Sequence, residues 1–218
     1  MASLIDHTLL SPTSTPEEIR RLCDECLEFG FAAVCVLPVH VRLAAGRIGA
    51  LGAVCSVVGF PSGGHRTPIK VAEAEQCIAD GATEIDLVAR HDLLRSSDFQ
   101  CYADEIAAAR ERIGRTAVLK VIIEAPLLTP EEIVQACALA AHAGADFVKT
   151  STGVYARARV EDVQLMRRAC PDHVRIKAAG GIRTLADAQA MREAGADRIG
   201  TSASVAIVSE IPVPPPSR

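Results

Sequence analysis

AGADFVKTS, residues 143 to 151, closes one kind of structure and opens another within a few positions. Before Gly144, apolar residues recur with a helical period. After it, Phe147 and Val148 begin a short apolar run that suits a strand buried on both faces. The same grammar returns in FGFAAVCVL (29 to 37), DGATEIDLV (80 to 88) and AGADRIGTS (194 to 202), where Gly30, Gly81 and Gly195 hold the place of Gly144. A fixed helix, glycine and strand order repeated along a chain predicts stacked βα units.

Between and around these segments lie further candidates. The strands read as LIDHT (4 to 8), AAVCVL (32 to 37), AVCSVVGF (53 to 60), TEIDLV (83 to 88), AVLKVIIEA (117 to 125), DFVKTS (146 to 151), VRIKAA (174 to 179) and DRIGTS (197 to 202). Amphipathic helical stretches separate nearly all of them. Helix starts are marked by STPEEI (14 to 19), LTPEEI (128 to 133) and RTLADA (183 to 188), where a Ser or Thr cap precedes proline or acidic residues. Eight strands alternating with helices over 218 residues, with no linker, predict an α/β fold: a closed (β/α)8 TIM barrel in a single domain over residues 1 to 210, followed by a proline-rich tail at 211 to 218.

The repeat also predicts who faces inward. The interior of such a barrel is filled in layers contributed by alternate strands, so residues at one offset from the repeat glycines share a layer. Five positions beyond each glycine stand Cys35, Asp86, Lys149 and Gly200, toward the C-terminal strand ends where these barrels carry their chemistry. The odd strands offer Asp6, Lys120, Glu124 and Lys177. Lys149 and Lys177 fall on neighbouring strands. Two buried amines at close range favour the neutral form of one, which makes it a nucleophile. The chain has four lysines, Lys70, Lys120, Lys149 and Lys177, against nineteen arginines, and three of the four lie in strands. Arginine serves for surface charge but forms no imine. A structural ion network of Lys149 and Lys177 with Asp86 and Asp6 accounts for the same pattern without chemistry.

After strand seven runs AAGGIRT and after strand eight GTSAS, so Gly180, Gly181, Gly200, Ser202 and Ser204 bracket the position where these barrels hold phosphate. Freed backbone amides and a helix starting near Ser202 make an anion seat, and a phosphorylated substrate is expected. A glycine run in GFPSGGHRTPIKVAEAE (59 to 75) is placed at the substrate mouth.

Composition narrows the partners. A net charge of −4, a pI near 5.9, 3% aromatics and no basic run argue against a nucleic-acid or anionic-membrane surface. Neither a signal peptide nor a membrane-length apolar stretch is read, and a cytoplasmic protein with a small-molecule partner is expected. The eight cysteines read as buried thiols, with Cys23 and Cys26 one helical turn apart. The six histidines show no HxH or HExxH spacing, so no metal and no cofactor are expected, and most histidines are assigned to surface or loops.

IDHTLL, VCSVVGFPSGG, ATEIDLV, LKVIIEA, DFVKTSTG, IKAAGGIRT and IGTSAS, in this order over about residues 3 to 205, resemble deoxyribose-phosphate aldolase, a class I aldolase family. The resemblance implies reversible cleavage of 2-deoxy-D-ribose 5-phosphate to glyceraldehyde 3-phosphate and acetaldehyde. It implies Lys149 as the Schiff-base lysine, Lys177 as its cationic neighbour, Asp86 as the acid/base carboxylate and a homodimer. Thr152 is expected on a catalytic water, with Asp6 and Cys35 at the substrate. VYARARV (154 to 160) departs from the family, with Arg157 and Arg159 where small residues are common, and the chain ends without the tyrosine of some members. Two rival classes use the same barrel: an isomerase with Asp86 as base and no covalent step, and a silent phosphate-ligand sensor.

Overall fold

The computed structural model describes residues 1 to 211, so the proline-rich tail, Ile211 apart, lies outside the described residues. Eight parallel strands close on themselves in chain order: β1 Ile5–Leu9, β2 Ala33–Val36, β3 Ala53–Val58, β4 Glu84–Val88, β5 Val118–Ile122, β6 Phe147–Lys149, β7 Arg175–Ala179 and β8 Arg198–Thr201. Around them run α1 Pro16–Phe29, α2 Val41–Ile48, α3 Thr67–Ala79, α4 His91–Arg95, α5 Phe99–Ile113, α6 Pro130–His142, α7 Val160–Ala169, α8 Leu185–Glu193 and the short α9 Ser204–Ser209.

The caps lie where the sequence puts them. Thr15, Thr129 and Thr184 each accept from the backbone amide three residues on, while Glu18, Glu132 and Asp187 bond back, and Pro16 and Pro130 open their helices. Gly30, Gly81, Gly144 and Gly195 all have positive φ, between 67° and 108°, a conformation that turns each helix into the next strand and disfavours any side chain.

Most strands are shorter than the sequence suggests, β5 and β6 by the most. β5 ends at Ile122 because Glu124 adopts a left-handed conformation (φ 50°, ψ 48°), which breaks the ladder before Pro126. β6 ends at Lys149, and the next three residues form a turn anchored by side chains.

Alternation along the strands sorts two interiors. Outward residues such as Val34, Val36, Ile85, Leu87, Val121, Val148, Ile176 and Ile199 pack with the helices in one continuous apolar sleeve. Inside the barrel the apolar cluster is small, comprising Ala33, Cys35, Cys55 and Val57 on β2 and β3, with Leu10, Leu37, Ala53 and Phe60 at its edge. Charged side chains occupy much of the rest of the interior, with Phe147 and Ile122 among them.

Candidate active site

Strand register stacks the interior in layers, three of which hold the charged groups. Asp6, Cys55, Lys120 and Lys177 of the odd strands each pair with one residue above and one below: Gly200 and Ala33, Cys35 and Glu84, Asp86 and Phe147, Lys149 and Arg198. The upper layer is therefore Cys35, Asp86, Lys149 and Gly200, the set expected from the repeat. The lower layer is Ala33, Glu84, Phe147 and Arg198. Glycine at 200 leaves room for a neighbour's chain, since a Cβ there would lie 3.1 Å from Lys177 Cε.

Asp86 is the hub. Its Oδ2 accepts from Lys149 Nζ at 2.7 Å and from Lys177 Nζ at 2.7 Å, so both amines converge on one oxygen. Its Oδ1 accepts from Lys120 Nζ at 2.9 Å and from the Cys55 thiol at 3.1 Å. Lys177 also pairs with Asp6 Oδ2, whose other oxygen takes Arg198 at 2.6 Å. Lys120 reaches down to Glu84 Oε2 at 2.5 Å. Four basic side chains thus meet three carboxylates, all buried except Arg198, which is part-buried.

The electrostatics follow from this interleaving. Burial works to raise the Asp86 carboxyl, and Lys120, Lys149 and Lys177 outweigh it, holding it well below the usual carboxylate range. Burial opposes ionisation of Asp6 too, but Lys177, Lys120 and Arg198 bring it down to about 2. At Lys177 burial favours the neutral amine and loses to Asp6 and Asp86, so its pKa is raised; Lys120 is raised likewise by Asp86 and its neighbours. The repulsion of two bare amines expected from sequence is thus replaced by a shared counter-ion, and Lys177 keeps its proton. Cys35 is lowered, first by its hydrogen bond with Cys55 and then, against burial, by Lys177 and Lys149.

Above the upper layer opens a cavity of about 390 Å³. Lys149 is the member of the charged cluster that lines it, and it does so beside Thr152, Gly153 and Phe60. Gly180, Gly181, Arg183, Gly200 and Ser202 line the same cavity, so the expected anion seat and the lysine share one space. Gly180 and Gly181 take φ of 104° and 75°, a left-handed pair that redirects successive backbone amides. α9 begins at Ser204, two residues later than expected, and the Ser204 hydroxyl is buried against His7 and the Thr201 carbonyl.

Asp6 and Cys35 do not reach the cavity wall; they lie beneath its floor, Asp6 among the cations and Cys35 beside Cys55. Arg159 is engaged with Asp162 in α7, whereas the stem of Arg157 lies across Gly181, where a Cβ would meet its Cγ at 2.6 Å. His7 is no surface residue: it is buried in β1 and bonded to Glu25 at 2.8 Å. All eight cysteines are free. Sequence reasoning did not name Cys55, Glu84, Arg198 or Arg183. Glu84 and Arg198 stand two residues before Asp86 and Gly200, so the same repeat offset, lowered by one pleat, finds them.

A closed parallel barrel with buried lysines and carboxylates under a cavity at the C-terminal strand ends is the architecture of (β/α)8 enzymes. The DeoC/LacD family aldolase model matches residues 1–209. Deoxyribose-phosphate aldolase 1 of Cutibacterium acnes is 49% identical over 95% of this chain and 96% of its own, and deoxyribose-phosphate aldolase of Thermoanaerobacter sp. is 48% identical over 96% of each. The tetrameric deoxyribose phosphate aldolase of Aeropyrum pernix superposes with a TM-score of 0.86 at 37% identity, covering 95% of this chain and 89% of its own. The chain belongs to the DeoC/LacD aldolase family and is a lyase. Among the described residues no helix is long and apolar enough to cross a membrane.

Proposed function

We propose that this aldolase reversibly cleaves 2-deoxy-D-ribose 5-phosphate to D-glyceraldehyde 3-phosphate and acetaldehyde through a Schiff base on Lys149, serving deoxyribonucleotide breakdown. The observation that carries the reading is the convergence of Lys149 and Lys177 on Asp86 Oδ2 directly under a cavity that Lys149 alone of the cluster reaches, among the described residues.

An amine attacks a carbonyl only when uncharged. The lysines of the cluster differ in how many carboxylates they contact. Lys149 has one, Asp86, while Lys177 and Lys120 each have two or more. Lys149 then adds to C1 of the open-chain sugar, water leaves, and the iminium draws the electrons of the C2–C3 bond as the 3-hydroxyl gives up its proton. Glyceraldehyde 3-phosphate departs, the enamine takes a proton at C2, and hydrolysis frees acetaldehyde and the amine. Asp86 and Lys177 are adjacent for proton movement through a held water, with Thr152 at the cavity wall beside it. The phosphate is seated at Gly180, Gly181, Gly200 and Ser202, with Arg183 lining the same cavity. A homodimer is part of the same reading, tested by molar mass in solution.

Incubation with acetaldehyde and borohydride, followed by peptide mass analysis, tests the chemistry. The expected result is a two-carbon adduct on the Lys149 peptide, lost in Lys149→Leu together with at least about 10⁴-fold of kcat. Turnover with no adduct makes the protein a non-covalent isomerase, and neither turnover nor adduct makes it a sensor; either result ends this proposal.

A further inference from the structure

We propose that Glu124 is a positioning residue of the reaction, holding the Thr152 segment of the cavity wall in place against the Lys149 amine. The inference rests on the Lys149 reading above and adds a residue to it.

The backbone at Glu124 is the first sign. Among the described residues only Ser97 and Glu124 have positive φ without being glycine. Ser97 lies in the exposed connection between α4 and α5, whereas Glu124 is fully buried, directly after β5. A left-handed conformation in a long side chain costs on the order of 1 kcal/mol and persists where surroundings demand it. The demand here is local: Ile123 donates to the Lys149 carbonyl at 3.1 Å and Ala125 to the Thr150 carbonyl at 2.7 Å. The chain on both sides of Glu124 is thereby stitched to the residues that follow the reactive lysine.

The second sign is the division of labour in the Thr150–Thr152 turn. Thr150 exchanges hydrogen bonds with the backbone of Ala179, its hydroxyl donating at 3.0 Å and accepting at 3.0 Å, and Ser151 donates to the same carbonyl at 2.5 Å. Both are fixed to β7. Thr152 is not: its amide donates to the two carboxylate oxygens of Glu124 at 3.1 and 3.3 Å, and its hydroxyl accepts from Val154. Of the three, Thr152 is the one that lines the cavity beside Lys149. The residue facing the chemistry therefore hangs on Glu124. The next residue, Gly153, stands so close to Gly180 that a Cβ would come within 3.2 Å of its Cα, so the same turn also abuts the anion seat. Burial draws the Glu124 carboxyl upward against the pull of Thr152 and Lys149, which agrees with an acceptor held in an enclosed place.

The experiment uses two variants and two readouts. Glu124→Gly removes the carboxylate while suiting the left-handed backbone, so folding is kept. Glu124→Gln keeps an oxygen for the Thr152 amide. With displacement of a cavity wall at stake, Glu124→Gly is expected to lower kcat for 2-deoxyribose 5-phosphate about 30-fold with KM within about threefold, and to slow borohydride trapping of acetaldehyde on Lys149 by a similar factor. Glu124→Gln is expected to recover both to within about threefold, with thermal midpoints of all three proteins within a few degrees. Glu124→Gly with kcat and trapping rate within twofold of the parent overturns the inference alone, as does a Glu124→Gln variant as impaired as Glu124→Gly. Absence of the Lys149 adduct in the parent overturns the Schiff-base reading and this inference with it.

Discussion

Asp86 and Leu87 are neighbours in β4, both fully buried, yet they face different kinds of interior. Leu87 points into the sleeve between barrel and helices, where apolar side chains from many elements touch without regard to direction. Asp86 points into the barrel, where every partner is named: Lys149 and Lys177 on one oxygen, Lys120 and Cys55 on the other. Such barrels are commonly filled with branched apolar residues. Here an apolar cluster remains on β2 and β3, with Ile122 and Phe147 on β5 and β6, and charged side chains take much of the rest. The difference teaches how stability and chemistry are divided. The sleeve stabilises by area, so each contribution is replaceable. The interior gains little net stability from its ion pairs, because desolvation offsets attraction, but each charge fixes the protonation of the next.

The widest gap between the two regions is expected on removing an interior charge. Lys177→Leu leaves Asp6 and Asp86 facing each other in the barrel with one cation fewer, and a stability loss of about 3–5 kcal/mol is expected in urea unfolding. Asp86 Oδ2 would then serve Lys149 alone, so the pH midpoint of acetaldehyde trapping should move upward. A variant with unchanged stability and midpoint would show that the pair is not coupled through Asp86. Leu87→Ala, one residue from the hub, should behave as an ordinary sleeve truncation: about 3 kcal/mol lost to a cavity, with the trapping profile unmoved. A shifted profile in that variant would erase the distinction between the two interiors.

The sequence made the sleeve and the upper layer readable for the same reason, a helix, glycine and strand repeat that locks four strands in phase. Counting five from each glycine reached Asp86 and Lys149, whose side chains bond in the structure. Counting three would have reached Glu84 and Arg198, the lower layer that ties down Lys120 and Asp6. Cys55 escaped because a cysteine in an apolar run reads as filler, and only the register reveals its place between Cys35 and Glu84, within reach of Asp86. Glu124 was placed within a strand, since no local pattern distinguishes a left-handed glutamate from an extended one. The charge balance was the least legible feature. Whether two lysines repel or share an anion depends on side-chain directions, and sequence spacing alone does not supply them.

The smallest of the expected effects separates the interiors by pH. Asp6 falls from 3.8 to about 2 on folding, and Asp86 moves the same way. A carboxyl depressed in the folded state contributes stability that is present above its unfolded pKa and is lost as pH falls through the folded one. For Asp6 that window runs from 3.8 down to about 2, and its share is on the order of 2 kcal/mol. Urea midpoints measured from pH 5 downward should therefore decline through this range in the parent protein. Leu87→Ala should trace the same curve displaced to lower stability, because no cation has moved. In Lys177→Leu the first of the cations that lower Asp6 is gone, so the carboxyl rises toward its ordinary value; the acid decline should shrink and be complete at a higher pH, its onset unmoved. Parallel curves for all three proteins would mean that Asp6 owes its depression to something other than Lys177, and the interior would then differ from the sleeve in composition alone.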